Sequence, residues 1–115
     1  LANQPDAFAM ILHRYDLGSS TGYGLFLEKA TDQLHFRIGD GASLPSLSKG
    51  AIGAILGTGW HHVVGTFDGG TGAHKIFIDG NSVATTTTAI SLSYIVQPIV
   101  LGGFSGMNWP FGIVP

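Results

Sequence analysis

The chain has 115 residues, a formal net charge of −2 and 10% charged residues, against about 25% in a typical soluble domain. This length fits one domain over residues 1–115, and five Lys and Arg residues are too few to neutralise a row of phosphates, so nucleic acid is not an expected partner. No basic amphipathic segment suggests a membrane surface, and the absence of cysteine removes disulfides, thiolate catalysis and cysteine-ligated zinc.

The first half of the chain shows strand signals at the spacing of about 8–12 residues that is typical of a sandwich or a barrel. A first strand is predicted over Phe8–Arg14, and a hairpin over Tyr23–Lys29 and Gln33–Ile38. In the second strand of this hairpin apolar residues alternate with polar ones, which predicts one dry face and one wet face. We expect a loop over Leu44–Lys49 and a weak strand over Ala51–Leu56.

The strongest strand signal covers Trp60–Asp68. Both faces of this segment are largely apolar, which predicts a central strand that is covered on each side. Trp60 is expected in the core. His62 shares the face of Trp60 in an extended chain and is therefore interpreted as a buried, hydrogen-bonded histidine.

The remaining strands are short and are separated by turn signals. Lys75–Ile78 and Ser82–Thr87 are predicted to form a hairpin across Asp79-Gly80, because this dipeptide favours the positive φ angles of a two-residue turn. Pro98–Leu101 is predicted as a short apolar strand, and Phe111–Val114 as a last one.

Three segments carry a family resemblance: GWHHVVGTFDG at residues 59–69, KIFIDG at 75–80 and PIVLGG at 98–103. Together they resemble the laminin G-like branch of the concanavalin A-like lectin/glucanase superfamily. Domains of that branch carry a WHHVAGTYDG strand, an aliphatic strand that ends in DG and a later short strand that ends in glycine. The resemblance implies an all-β fold, a jelly-roll sandwich of two antiparallel sheets, and an extracellular or cell-surface location, although no signal peptide is visible.

The sequence departs from the pattern of that branch at a few positions. Val64 stands where Ala is usual, and Phe67 where Tyr is usual; both changes are mild. The closing strand of such domains, of the form FxGxIDxV, is compressed here to Phe111–Val114. We therefore expect a sandwich that is shortened at one or both ends.

Glycoside hydrolysis ordinarily needs two carboxyl groups that flank one bond, and one of them has a raised pKa. The superfamily that this chain resembles includes glucanases, and these enzymes use a strand of alternating Glu and Asp. This chain has a single Glu, Glu28, which lies beside Lys29 near a predicted turn and is interpreted as a solvated charge. We therefore expect no enzymatic activity.

Metal binding is considered for histidine and aspartate side chains. His61 and His62 are adjacent on a predicted strand and point to opposite faces, so they cannot share one ion. Calcium is the more serious candidate, because the resemblance implies a site built from Asp side chains and loop carbonyls. Asp40 and Asp68 lie at predicted turns and are the candidate ligands. The alternative interpretation is that each side chain shapes its own turn through hydrogen bonds.

A sugar site in a lectin-like sandwich needs an exposed aromatic ring with Asn or Asp nearby. Asn108 and Trp109 are the first candidates, and Tyr15 with Asp16 is the second pair. Tyr94 is a weaker one.

The sequence thus predicts a non-catalytic recognition module for carbohydrate or a protein surface. A structural self-association domain is the first alternative, and a piece of a glycoside hydrolase is the second. Unpaired strand edges with little charge also predict a homodimer.

Overall fold

The protein is described at residues 8–56 and 59–102 by a computed structural model, in which two antiparallel sheets pack against each other. In chain order the elements are β1 (Phe8–Asp16), β2 (Thr21–Glu28), β3 (Gln33–Asp40), β4 (Ser46–Lys49), α1 (Gly53–Leu56), β5 (Val63–Phe67), β6 (Ala73–Ile78), β7 (Asn81–Thr87) and β8 (Val100–Leu101). The larger sheet has the order β4-β3-β2-β1-β8, and the smaller one the order β5-β6-β7. The expected all-β sandwich of two antiparallel sheets is therefore confirmed.

Two hairpins that the sequence predicts are present in register. β2 pairs with β3 along its whole length, from Thr21 opposite Asp40 to Glu28 opposite Gln33. The turn between β6 and β7 is formed by Asp79 and Gly80, whose φ angles are 51° and 82°. Positive φ at both positions is what a two-residue turn of this type requires, and it explains the Asp-Gly dipeptide.

The main core lies between the two sheets. Leu34, Phe36 and Ile38 point inward from β3, while Ile76 and Ile78 point inward from β6. The predicted dry face of β3 is thus confirmed. Because these side chains meet residues that are distant in sequence, their burial holds the two sheets together.

The outer face of β3 is less wet than the alternation predicts. A second buried cluster lies on that side of the larger sheet and is formed by Met10, Tyr15 and Phe26. The ring of His35 stacks on Phe26 with 4.8 Å between the centroids, and the Arg37 guanidinium lies 4.8 Å above the same ring. These long polar side chains therefore cover apolar rings with their stems and planar faces.

Two short elements differ from the sequence expectations. The predicted loop over Leu44–Lys49 contains β4, which pairs with β3 from Leu34 opposite Lys49 to Arg37 opposite Ser46. The predicted weak strand over Ala51–Leu56 is instead the short helix α1. Its start is fixed by Asp32, whose Oδ1 accepts a hydrogen bond of 2.8 Å from the Gly53 N–H in the manner of a helix cap.

The expectation for Trp60 is wrong. The strand begins only at Val63, and the Trp60 side chain is 93% exposed. The inward face of β5 is the other one, because Gly65 lies so close to the Phe36 ring that an added Cβ would be 2.8 Å from it. Residues of the opposite parity, including His62, therefore face outward, and His62 is exposed rather than buried.

The expected central position of this strand is also wrong. Among the described residues, β5 pairs only with β6 and forms one edge of the smaller sheet. The predicted last strand over Phe111–Val114 lies outside the described residues. In the part of the chain that the structure describes, no helix is long and apolar enough to cross a membrane.

Candidate functional site

The turn between β6 and β7 fixes the chain that enters β5. The Asp79 N–H donates to the His62 carbonyl at 2.8 Å, and the His62 N–H donates to Asp79 Oδ1 at 3.0 Å. The other carboxylate oxygen, Oδ2, lies 2.7 Å from His61 Nδ1. One turn residue thus orients two consecutive histidines.

The Asp79 carboxylate is held in its charged form. Its hydrogen bond with the His61 side chain, together with the one from the His62 N–H, lowers the pKa of Asp79 below its usual value. At neutral pH Asp79 is therefore an ionised hydrogen-bond acceptor. It remains accessible to a ligand, since its side chain is 46% exposed.

Trp60 lies at the entry to this corner and offers an open aromatic face. An indole that is 93% exposed is unusual, because burial of such a ring contributes strongly to folding. Trp60 directly precedes His61, whose imidazole contacts the Asp79 carboxylate. An aromatic ring, a carboxylate and an imidazole are groups that ligand sites combine, because apolar contact gives affinity and polar groups fix the orientation. We call Trp60, His61 and Asp79 the Trp60 corner.

The sequence prediction of a sugar-stacking ring at Tyr15 is wrong. The Tyr15 side chain is 3% exposed; its ring packs against His13 at 5.1 Å and its hydroxyl lies 3.7 Å from Met10 Sδ. A ring enclosed in this way has no face left for a sugar. Asp16 shapes the turn that follows, since its Oδ2 accepts a hydrogen bond of 2.7 Å from the Ser19 N–H.

The other predicted ligand-binding residues have different positions. Asn108 and Trp109 lie outside the described residues, so their role stays a prediction. Tyr94 is 47% exposed, but Tyr23 packs on its ring edge to face, and the Arg14 guanidinium lies 5.0 Å from the centroid. The Tyr94 ring is therefore partly covered by its own neighbours in the larger sheet.

The two candidate calcium ligands are engaged in turns. Asp40 Oδ1 accepts hydrogen bonds from the Ala42 and Ser43 N–H groups at 2.8 and 2.7 Å. Asp68 Oδ1 accepts one of 2.8 Å from the Gly70 N–H. These backbone donors lower the pKa of both carboxyl groups. Within the described ranges no group of three or more potential metal-ligating side chains comes together, and calcium at Asp40 or Asp68 stays a prediction.

Glu28 does not have the properties of a glycosidase acid. Its side chain accepts a hydrogen bond from the Thr31 hydroxyl and lies 3.4 Å from His35 Nε2. The contact with Thr31 is the main cause that lowers the pKa of Glu28. A general acid of this reaction type requires a raised pKa, so the shift has the opposite direction.

Two buried histidines were not foreseen from the sequence. His74 bridges the two sheets: its Nε2 lies 3.0 Å from the Phe36 carbonyl oxygen and its Nδ1 3.0 Å from Thr88 Oγ1. His13 is equally buried under the second cluster. Burial lowers the pKa of both imidazoles. The period-2 pattern of β6 carried the signal for His74, since Ile76 and Ile78 share its face.

These histidines make stability depend on pH. Their folded-state pKa lies below the ordinary value of 6.5, so below about pH 6.5 the unfolded chain takes up protons that the folded chain does not. We expect the contribution of these two histidines to leave the melting temperature constant above pH 7. Between pH 7 and pH 5 the melting temperature should fall. The lowered carboxyl pKa values act only at lower pH, because their contribution is present above about pH 4.5.

A His74→Gln variant should therefore lose part of the decrease in melting temperature between pH 7 and pH 5. The matched control is His62→Gln, which changes an exposed histidine and should keep the decrease of the wild type. Equal pH profiles for wild type and His74→Gln would contradict the assignment of His74.

The two packed antiparallel sheets fit a small jelly-roll sandwich of the concanavalin A-like class. The family profile described as the concanavalin A-like lectin/glucanases superfamily, of laminin G type, matches residues 1–111, and the chain belongs to this family. Membership in this superfamily is compatible with a role as a binding module. No curated protein and no solved structure matches the chain significantly.

Proposed function

We propose that the domain is a non-catalytic recognition module that binds carbohydrate at the Trp60 corner. The observation that carries the proposal is the Trp60 indole, which is almost fully exposed and directly precedes His61, the residue whose imidazole contacts the Asp79 carboxylate. The ring would stack on the apolar face of a sugar, and the Asp79 oxygens would accept hydrogen bonds from sugar hydroxyls. An extracellular or cell-surface location, where glycans are displayed, is part of the proposal.

The non-catalytic part of the proposal is supported by Glu28. Its lowered pKa favours the charged form, which cannot protonate a leaving group. Asp40 and Asp68 are likewise favoured in their charged forms by turn hydrogen bonds. These three carboxylates are therefore better suited to accept hydrogen bonds than to act as an acid that donates a proton.

Binding to glycans should depend on the indole. Isothermal titration with oligosaccharides from a glycan array is the test, and Trp60→Ala should weaken the best ligand by about 2 kcal/mol, or roughly 30-fold, as for other central aromatic contacts. Asp79→Asn should also weaken binding, because it removes the charge of the acceptor. The titration is run with calcium and with EDTA, which tests the predicted ions at Asp40 and Asp68.

The control for this experiment is Tyr94→Ala, which removes an exposed aromatic ring elsewhere on the surface. It should leave sugar affinity unchanged, and each variant is first checked for cooperative unfolding. If Tyr94→Ala abolishes binding while Trp60→Ala does not, the Trp60 corner is the wrong site.

Recognition of a protein surface is the second candidate function. The segment from Tyr94 to Leu101 exposes several large apolar side chains in a row: Tyr94, Ile95, Val96, Ile99 and Leu101. Large apolar side chains exposed together are typical of interaction surfaces on soluble domains. No charged residue interrupts the segment, which fits an apolar partner.

A further inference from the structure

β5 offers an open edge beside an apolar cleft. In the described part of the chain its only strand partner is β6, and the cleft between the sheets at this edge is lined by apolar side chains that include Val63, Phe67, Leu25 and Phe36. Backbone N–H and C=O groups on such an edge are available to another strand. The five residues of β5 include no charge that would repel one.

The hydrogen bonds at the two ends of the β5–β6 ladder show which backbone groups point to the open edge. His62 accepts a hydrogen bond from the Asp79 N–H at 2.8 Å, and the Asp68 N–H donates to the Ala73 carbonyl at 2.9 Å. Both bonds join an even-numbered residue to the β6 side. Since hydrogen-bonded positions alternate along an antiparallel ladder, the odd-numbered residues of β5 direct their backbone groups away from β6.

The open edge is complementary to itself. Gly65 is the central residue of β5 and has odd parity, so a two-fold axis through Gly65 would pair hydrogen-bonding positions with each other. In this register Val63 faces Phe67 of the second copy, and both belong to the inward, apolar face. Val64 faces Thr66 of the second copy on the outward face. No charged group is brought against an apolar one.

Charge complementarity extends beyond the strand ends. The same register places His62 opposite Asp68 of the second copy at both ends of the pair. The Asp68 carboxylate is exposed, and hydrogen bonds from Gly70 and Thr71 lower its pKa, so it is charged at neutral pH. It could accept a hydrogen bond from the exposed His62 imidazole, and it would lie next to the Trp60 corner of the second copy.

We propose that two copies of the chain associate through β5, antiparallel and centred on Gly65, so that their smaller sheets join into one six-stranded sheet. The second copy covers the apolar cleft and brings Asp68 close to the Trp60 corner. The dimer does not require a sugar ligand, and its tests are made without one.

Sedimentation of the 115-residue chain at micromolar concentrations is the first measurement, and a dimer is expected. The double variant Val64→Lys with Thr66→Lys should be a monomer, because the lysine introduced at position 64 would face the lysine introduced at position 66 of the second copy. The double variant Val64→Glu with Thr66→Glu should be a monomer for the same reason. An equimolar mixture of the two variants should restore a dimer that contains one copy of each, since both cross-strand pairs then have opposite charges.

The matched control is Thr85→Lys with Thr87→Lys, which places the same two charges on exposed positions of β7, at the opposite edge of the same sheet. This variant should remain a dimer. Hydrogen exchange gives a second readout: dilution of the wild type should speed exchange at Val63, Gly65 and Phe67, but not at Val64 and Thr66.

Several results would overturn the proposal. A monomeric wild type whose Val63, Gly65 and Phe67 amides are nevertheless protected would show that residues of the same chain fill the edge. A monomer with unprotected amides would show that the edge stays open. A dimer that survives the β5 lysines, or that the β7 lysines dissociate, would show that a different surface associates.

Discussion

Phe36→Ala should lower the free energy of unfolding by about 3–5 kcal/mol, the range for loss of a buried aromatic ring. Phe36 is buried at the centre of the interface between the sheets, where its ring lies against Gly65 of β5 and edge to face with His74 of β6 at 4.9 Å. Gly65 has no side chain that could move into the vacated space. The cavity would therefore remain open, and its cost adds to the lost burial.

The comparison is Trp60→Ala, which removes a larger ring from the surface. With 93% of the Trp60 side chain in solvent, this variant should change stability by no more than about 0.5 kcal/mol. Urea denaturation of both variants, followed by circular dichroism, measures the two changes. A large loss for Trp60→Ala and a small one for Phe36→Ala would reverse the assignment of the inward face of β5.

The parts of the fold that the sequence predicted correctly depend on short-range patterns. The alternation of Leu34, Phe36 and Ile38 identifies the inward face of β3, and the Asp79-Gly80 dipeptide identifies a turn with two positive φ angles. Each of these features is decided within a few residues of the chain. The family resemblance then supplied the way in which the hairpins assemble into two sheets, which no local pattern contains.

The face of β5 could not be predicted in the same way. Alternation divides Trp60–Asp68 into two apolar sets without saying which one points inward. The decision comes from a contact between Gly65 and Phe36, which are far apart in sequence. Size favoured the set that contains Trp60, because large rings are usually buried, whereas the close approach of the sheets requires the set with the glycine.

The candidate site was missed for a related reason. Asp79 is fully explained by its turn, so the sequence gives no reason to look for a second role. Only the pairing of β5 with β6 brings its carboxylate to His61, the residue that follows the exposed Trp60. Tyr15 shows the opposite error, because the cluster that buries it lies on the outer face of the larger sheet, where the alternation predicts solvent.

Gly22→Ala should be among the most damaging single changes in the larger sheet. Gly22 has a φ of 89°, a conformation that costs an L-residue about 1–2 kcal/mol. An added Cβ would in addition overlap the Arg14 carbonyl oxygen and lie 2.8 Å from Tyr15 Cα. Both neighbours are backbone of β1, so relief requires the strands to separate. Overpacking typically adds about 1–3 kcal/mol, which gives an expected total of about 2–5 kcal/mol.

Gly80→Ala separates the two causes of this loss. Gly80 has a similar φ of 82°, but an added Cβ would meet no atom within 4 Å. Its substitution should therefore cost only the conformational part, about 1–2 kcal/mol. Denaturation curves of the two variants measure the difference in the free energy of unfolding, which reports the steric cost at Gly22 alone.

Gly22 also donates its N–H to the Ser93 carbonyl at 2.8 Å, so separation of β1 and β2 would displace the segment that leads to Tyr94. Equal losses for the two variants would show that β1 yields to the methyl group at no further cost, and that backbone conformation alone explains the glycine.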